Sequence, residues 1–296
     1  MSADPIISRS QAKHLFDQVL SVQISGKCIW RAEFLSKPIF NYQITNLPNY
    51  QTRKMLLPLI SVFSAAAASY AGYATMAPQS QLYGRTLTHG ADPDQIALTF
   101  DDGPNDPHTL RLLDVLARHN AKATFFLVGK YVRQRPDIVR AIVAAGHEIG
   151  NHTYTHPNLI FLSRRRVRQE LEDCNKALAD ELDHKPVLFR PPFGGRRPGV
   201  LSVARELRLK PVMWSVTGYD WNATSADSIL GKVAPRLKSR RAEIVLLHDG
   251  GHLSFGADRS HTVEATRRLL EMYPDRRFVS VSMLKGNPNR DITLKN

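Results

Sequence analysis

The chain has 296 residues, 43% hydrophobic and 23% charged, with a formal net charge of +13 and two cysteines. That is enough apolar material for one large core plus a tail, and the ordinary charged fraction argues against a largely disordered chain. Two cysteines exclude a zinc finger built on four thiols. The basic balance leaves open nucleic acid, anionic cell-envelope material or a merely solvated surface.

Taken in chain order, residues 1–54 show no repeat or motif and read as a tail of unknown role, either cytoplasmic or an upstream extension before a natural start at Met55. The stretch from Met55 to Ala77 carries no charge and follows Arg53 and Lys54. A basic flank, an apolar run and small residues towards its end predict a signal peptide or membrane anchor. Roughly 20 residues suffice to span a bilayer. The flank would keep the N-terminus inside, so the remainder is expected to be exported: periplasmic, extracellular or membrane-anchored. Residues 78–93 read as a linker. Cys28 and Cys174 fall on opposite sides of the apolar run, so no disulfide is expected, and Cys174 reads as a small apolar residue on a helix face.

From Ile96 the pattern changes to short apolar runs: Ile96–Phe100, Ala123–Val128, His147–Asn151, Val187–Arg190, Pro211–Val216, Glu243–Leu247 and Arg277–Val281. Helix candidates lie between them. One has Leu110, Leu113 and Leu116–Ala117 on one face; another has Val167, Leu171, Cys174 and Leu178 at helical spacing. About seven strands alternating with helices predict an α/β fold of parallel βα units. The expected form is a distorted (β/α) barrel preceded by the hydrophobic segment and tail, with an open doubly wound sheet as the alternative. The arginines at 164, 165, 166 and 168, and at 267 and 268, fall on helix faces without interleaved aromatics, so nucleic-acid binding is not expected.

In βα barrels chemistry gathers at the C-terminal ends of strands. There this sequence places Asp101-Asp102-Gly103-Pro104, His152 and His156, Arg190-Pro191-Pro192-Phe193-Gly194, Asp220-Trp221 and His248-Asp249. Each group alone has an ordinary explanation: a turn, a loop histidine pair, a surface ion pair, a helix cap. Five such groups on one predicted edge are hard to explain as packing.

These segments, with Thr99-Phe100 before the first, Thr153-Tyr154-Thr155 inside the second and Leu246-Leu247 before the last, resemble the five ordered motifs of polysaccharide deacetylases. These are the NodB-homology enzymes, carbohydrate esterase family 4. The resemblance covers about residues 94–285, leaving 286–296 as a C-terminal tail. It implies a distorted (β/α) barrel that removes acetyl groups from chitooligosaccharides, peptidoglycan-type N-acetyl sugars or acetyl-xylan. It implies Asp102, His152 and His156 as ligands of a divalent metal, zinc first, with cobalt or nickel as alternatives. Metal-bound water is then the nucleophile, Asp101 the general base and His248 the general acid. Arg190 would orient Asp101, Asp220 would orient His248, Trp221 and Leu246 would hold the acetyl methyl, and the Phe193 amide would bind the oxyanion. The expected partners are an N-acetylated carbohydrate and, through residues 55–77, a membrane; no protein partner is implied. Two positions depart from the pattern: Phe193 stands where many relatives have Tyr, and Thr217 where many have Asp. Gly195, Arg196 and Arg197 would shape sugar subsites. Rival readings are a related barrel hydrolase acting on a cyclic amide or formamide, and a sugar-binding protein without catalysis.

Overall fold

The computed structural model describes residues 50–182 and 184–285. Residues 1–49, with Cys28, and the tail 286–296 lie outside the described residues. The chain divides into two compact units, Met1–Ala65 and Ala66–Asn296. Helix α1 (Tyr50–Met76) runs across that boundary, with Pro58 inside it. Its stretch Leu56–Met76 is long and apolar enough to cross a membrane by length and composition.

Among the described residues of the second unit, nine strands form one sheet. They are β1 (His89–Gly90), β2 (Gln95–Gly103), β3 (Thr124–Leu127), β4 (Glu148–Asn151), β5 (Leu188–Phe189), β6 (Lys210–Pro211), β7 (Val216–Thr217), β8 (Ala242–His248) and β9 (Arg277–Phe278). Their order is β1-β8-β2-β3-β4-β5-β6, with β7 on β8 and β9 on β2. All pairs are parallel except β1 with β8. The sheet curls until the 210–217 segment returns to β8, giving the expected distorted barrel with a thin seam. That seam consists of β7 against β8 and a single bridge, Leu87↔Val212.

Two departures from the sequence reading concern this seam. The run Pro211–Val216 is not one strand: Val212 pairs with Leu87, and Ser215 N–H bonds to Ile244 O, so the chain changes neighbours midway. Residues 78–93, read as a linker, contribute β1 and the Leu87 bridge. Two residues of strand are too short to show an alternating pattern.

The helices are α2 (His108–Arg118), α3 (Gly129–Gln134), α4 (Pro136–Ala144), α5 (Arg164–Ala179), α6 (Pro198–Glu206), α7 (Ala226–Val233) and α8 (Ser260–Met272). On α5 the expected stripe is the buried one: Val167, Leu171, Cys174 and Leu178 are all 0% exposed. Ser163 caps this helix by accepting from Arg166 N–H. Burial pushes the Cys174 thiol up to about 12, in keeping with an inert apolar role. On α2 the buried face is rotated from the expected one. Leu112, Leu113 and Leu116 are buried, while Leu110 is partly covered and Ala117 exposed.

The main core lies between the sheet and the surrounding helices, including Phe100, Phe125, Leu116, Ile142, Ile229 and Leu269. A second cluster fills the interior of the curl with Ala97, Phe126, Leu188, Val212 and Ile244. A third, with Leu171, Phe189 and Val203, fixes α5 and α6. Leu171→Ala is expected to cost about 2–5 kcal/mol, the range for a buried leucine that leaves a cavity. Chemical denaturation measures it, and a change below about 1 kcal/mol would mean that this face is not packed.

Candidate active site

Strand β2 is buried along its whole length, and its C-terminal end delivers Asp101 and Asp102. Neighbouring strand residues normally point to opposite faces. Here the β2–β3 register shifts between Asp101 and Gly103, and Asp102 has φ 72. This bulge turns the second carboxylate so that both line one cavity. Close packing keeps the bend: a Cβ on Gly103 would lie 2.1 Å from Asp249 Oδ2, and one on Gly250 2.2 Å from the Asp102 carbonyl oxygen.

Strand β4 leads into the loop carrying His152 and His156. His152 Nδ1 lies 2.8 Å from Arg190 O, which places the proton on Nδ1 and leaves the Nε2 lone pair free to bind a metal. That Nε2 faces Asp102 Oδ1 at 3.4 Å, and His156 Nε2 faces the same oxygen at 3.1 Å. Burial pushes His156 below its ordinary value and favours the neutral ring. Burial also pushes Asp102 up, but the three facing imidazoles outweigh it and hold the carboxylate well below its usual range. The donor atoms of Asp102, His152 and His156 lie within 4.8 Å of one another, and all three residues are buried. Asp102 Oδ1 is buried with no hydrogen-bond partner. One carboxylate and two imidazoles around an orphaned buried oxygen fit a divalent cation.

Arg190, after β5, is 0% exposed. Its Nη1 donates to Asp101 Oδ1 and to Thr99 Oγ1, both at 2.7 Å, and its Nη2 donates to Met213 O at 3.1 Å. Its guanidinium lies 4.2 Å from the Phe126 ring centroid. Burial lowers its pKa while the Asp101 charge opposes that.

Asp101 pairs in register with His248 across β2 and β8. Asp220 receives His248 twice: backbone N–H to Oδ2 and ring Nδ1 to Oδ1, both 2.8 Å. Thr262 adds a third bond to Oδ2. Burial pushes His248 down, but the Asp220 carboxylate more than offsets this and raises it to about 9. Trp221 stands edge-on to His248 at 5.1 Å, and buried Leu246 lines the same cavity. Phe193, half exposed at φ 58, packs edge-on to His156 at 4.8 Å. The cavity measures about 510 Å³, ordinary for a small-ligand site. Asp102, Thr153, His156 and Phe193 all hold positive φ around it, a strain of about 1–3 kcal/mol each that the surrounding packing must sustain.

The ten residues to which the resemblance gave metal, catalytic or acetyl-binding roles therefore meet in one place. Arg196 does not: it is buried away from the cavity, its guanidinium on Ala77, Ser80 and Gly194 carbonyls. Several supporting residues carry no sequence signal. Glu170 on α5 accepts from Tyr154 N–H, Thr155 N–H and the Thr155 hydroxyl, fixing the histidine loop. Thr262 supports Asp220, whereas Thr217 is turned to Tyr219 N–H. His252, on the loop after β8, faces the Asp102–His156 pair.

A curled parallel sheet with a cation-fitting triad beside a paired carboxylate and imidazole defines a (β/α)-barrel protein with an enzyme-type site. Residues 89–212 match the polysaccharide deacetylase family. A chitooligosaccharide deacetylase of Sinorhizobium fredii is 38% identical, over 68% of this chain and 96% of its own length. A peptidoglycan-N-acetylglucosamine deacetylase of Bacillus cereus is 38% identical over 64% of this chain and 87% of its own. Among solved structures, a peptidoglycan N-acetylglucosamine deacetylase bound to an N-hydroxybenzamide is 33% identical, with a TM-score of 0.62, covering 68% of this chain and 92% of that one. A family 4 pseudoenzyme from Bacillus anthracis is also similar, at 29% identity and TM-score 0.60, over 67% of each chain. The chain belongs to the polysaccharide deacetylase family of enzymes. That fold also carries a pseudoenzyme, so activity depends on the side chains at the site and not on the fold.

Proposed function

We propose that the chain hydrolyses acetyl groups from N-acetylated carbohydrate of the chitooligosaccharide or peptidoglycan type, with zinc as the resident ion. One observation carries this reading: Asp101 and His248 stand opposite each other on adjacent strands beside the Asp102–His152–His156 triad. A bound divalent ion supplies Lewis acidity, acidifying water and polarising the acetyl carbonyl. Asp101, held by Arg190, takes the proton of the attacking water. The Phe193 N–H assists the developing oxyanion. His248, protonated and fixed by Asp220, passes a proton from Nε2 to the departing amine. Trp221 and Leu246 form the apolar walls that receive the acetyl methyl. Residues 94–285 act as the catalytic domain. The uncharged stretch 55–77 works as signal or anchor, with the domain exported to its glycan.

The test is acetate release from chitooligosaccharides, peptidoglycan and acetyl-xylan, before and after chelation and metal add-back. Release from the N-acetyl glycans that disappears on chelation and returns with zinc is expected. Release from xylan alone, or none from any glycan, overturns the substrate reading.

The His248–Asp220 pair gives a pH signature. The raised value keeps His248 protonated up to about pH 9, so the alkaline limb of kcat/KM is expected near there. Asp220→Asn removes the charge that offsets burial, and the limb moves to lower pH by more than one unit. An unmoved limb excludes His248 as the group titrating it. The same shift affects stability: the pair's contribution is complete below about pH 6.5, the ordinary imidazole value, and is lost as the pH rises through about 9.

A further inference from the structure

The triad has a neighbour that the five motifs do not include. His252 lies on the loop between β8 and α8, with Nδ1 3.8 Å from Asp102 Oδ2. Its ring stacks on His156, centroids 4.8 Å apart at 28°, and meets Phe193 edge-on at 5.2 Å. The two stacked imidazoles thus address the two oxygens of one carboxylate: His156 faces Oδ1 and His252 faces Oδ2.

The loop is built to present this ring. Asn105 donates to Asp249 O and Ala257 O and accepts from Gly256 N–H, tying both ends of the loop together. Tyr131 donates its hydroxyl to Gly251 O, and Arg259 its Nε to Gly250 O. Tyr131 also packs against Phe255 at 5.6 Å. Such tethers cost conformational entropy, and here they fix Gly250 and Gly251 before the imidazole and Phe255 to Ala257 after it.

We propose that His252 is a positioning residue of the metal centre, holding the outer oxygen of Asp102 so that the inner one faces the ion. Ligating carboxylates need such support, because a carboxylate free to rotate alternates between one-oxygen and two-oxygen binding. The inference rests on Asp102, His152 and His156 as metal ligands. With Oδ1 turned to a bound ion, Oδ2 would be the oxygen left for His252 Nδ1, which lies 3.8 Å from it.

The experiment is zinc titration of the metal-free full chain against a chromophoric chelator. It compares the unsubstituted protein with His252→Ala and His252→Gln. His252 is on a partly exposed loop, so neither change opens the core. His252→Ala is expected to weaken zinc binding about 10–100-fold, the usual cost of losing a partner of a ligand. His252→Gln, whose amide can donate to the same oxygen, recovers most of it. X-ray absorption at zinc should count the same number of imidazoles with and without His252. Unchanged affinity in His252→Ala, or no recovery in His252→Gln, overturns the proposal. One imidazole fewer in His252→Ala overturns it in favour of direct ligation. Failure of the unsubstituted chain to take up zinc overturns the metal reading itself, and this inference with it.

Discussion

Asp101→Asn is expected to leave zinc in place and lower kcat about 10²–10⁴-fold, the usual contribution of a positioned base. Asn keeps an oxygen for Arg190 Nη1 but cannot accept a proton at neutral pH. Asp101 lies beside the triad, 3.7 Å from His152 Nε2, and Asp102 supplies the carboxylate nearer both imidazoles. Metal content and turnover should therefore separate. Some stability goes too, because the buried Arg190 loses its counter-charge. Turnover is accordingly measured on protein shown to be folded by circular dichroism, with zinc determined on the same sample. Near-normal deacetylation would remove Asp101 from the role of base.

The second large effect is loss of the ion. Asp102→Ala should abolish both zinc content and activity, because two imidazoles alone hold a divalent ion weakly. Asp102 sits at φ 72, where alanine is strained, so some of its effect would be on folding. His152→Ala is the cleaner companion, since His152 is not among the residues with positive φ. It should lose zinc, and its thermal transition is compared with that of the metal-free parent, because bound metal itself stabilises the fold. Full zinc occupancy in both variants, by elemental analysis, would refute the ligand set.

Much of the site was legible because parallel βα units put strand ends on one edge. Asp101, His152, Arg190 and His248 could be collected from the residues just after each apolar run. The order of strands could not be read that way. That β8 pairs with β2, bringing His248 opposite Asp101, is a long-range register with no local signal. The bulge at Asp102 was equally hidden, since two adjacent aspartates read first as a turn. Glu170 and Thr262 sit on helices where a polar residue has an ordinary surface reading, and only the fold shows that they are buried against loops. On α2, Leu110, Leu112, Leu113 and Leu116 offer two overlapping stripes, and the buried one lies part of a turn from the expected face.

Arg196 bears on where the catalytic unit begins. Its backbone N–H bonds to Thr75 O and its guanidinium to Ala77 O and Ser80 O, while its other side holds Gly194 O beside the Phe193 turn. The last turn of the apolar helix is thus sewn to a wall of the reaction chamber. No slack tether separates the two, so the chamber is built in part from residues that composition assigns to the hydrophobic segment. A mature form trimmed beyond Ser80 would leave the buried Arg196 guanidinium without its Ala77 and Ser80 carbonyls, behind the wall that Gly194 forms, whereas one that keeps Thr75 would not.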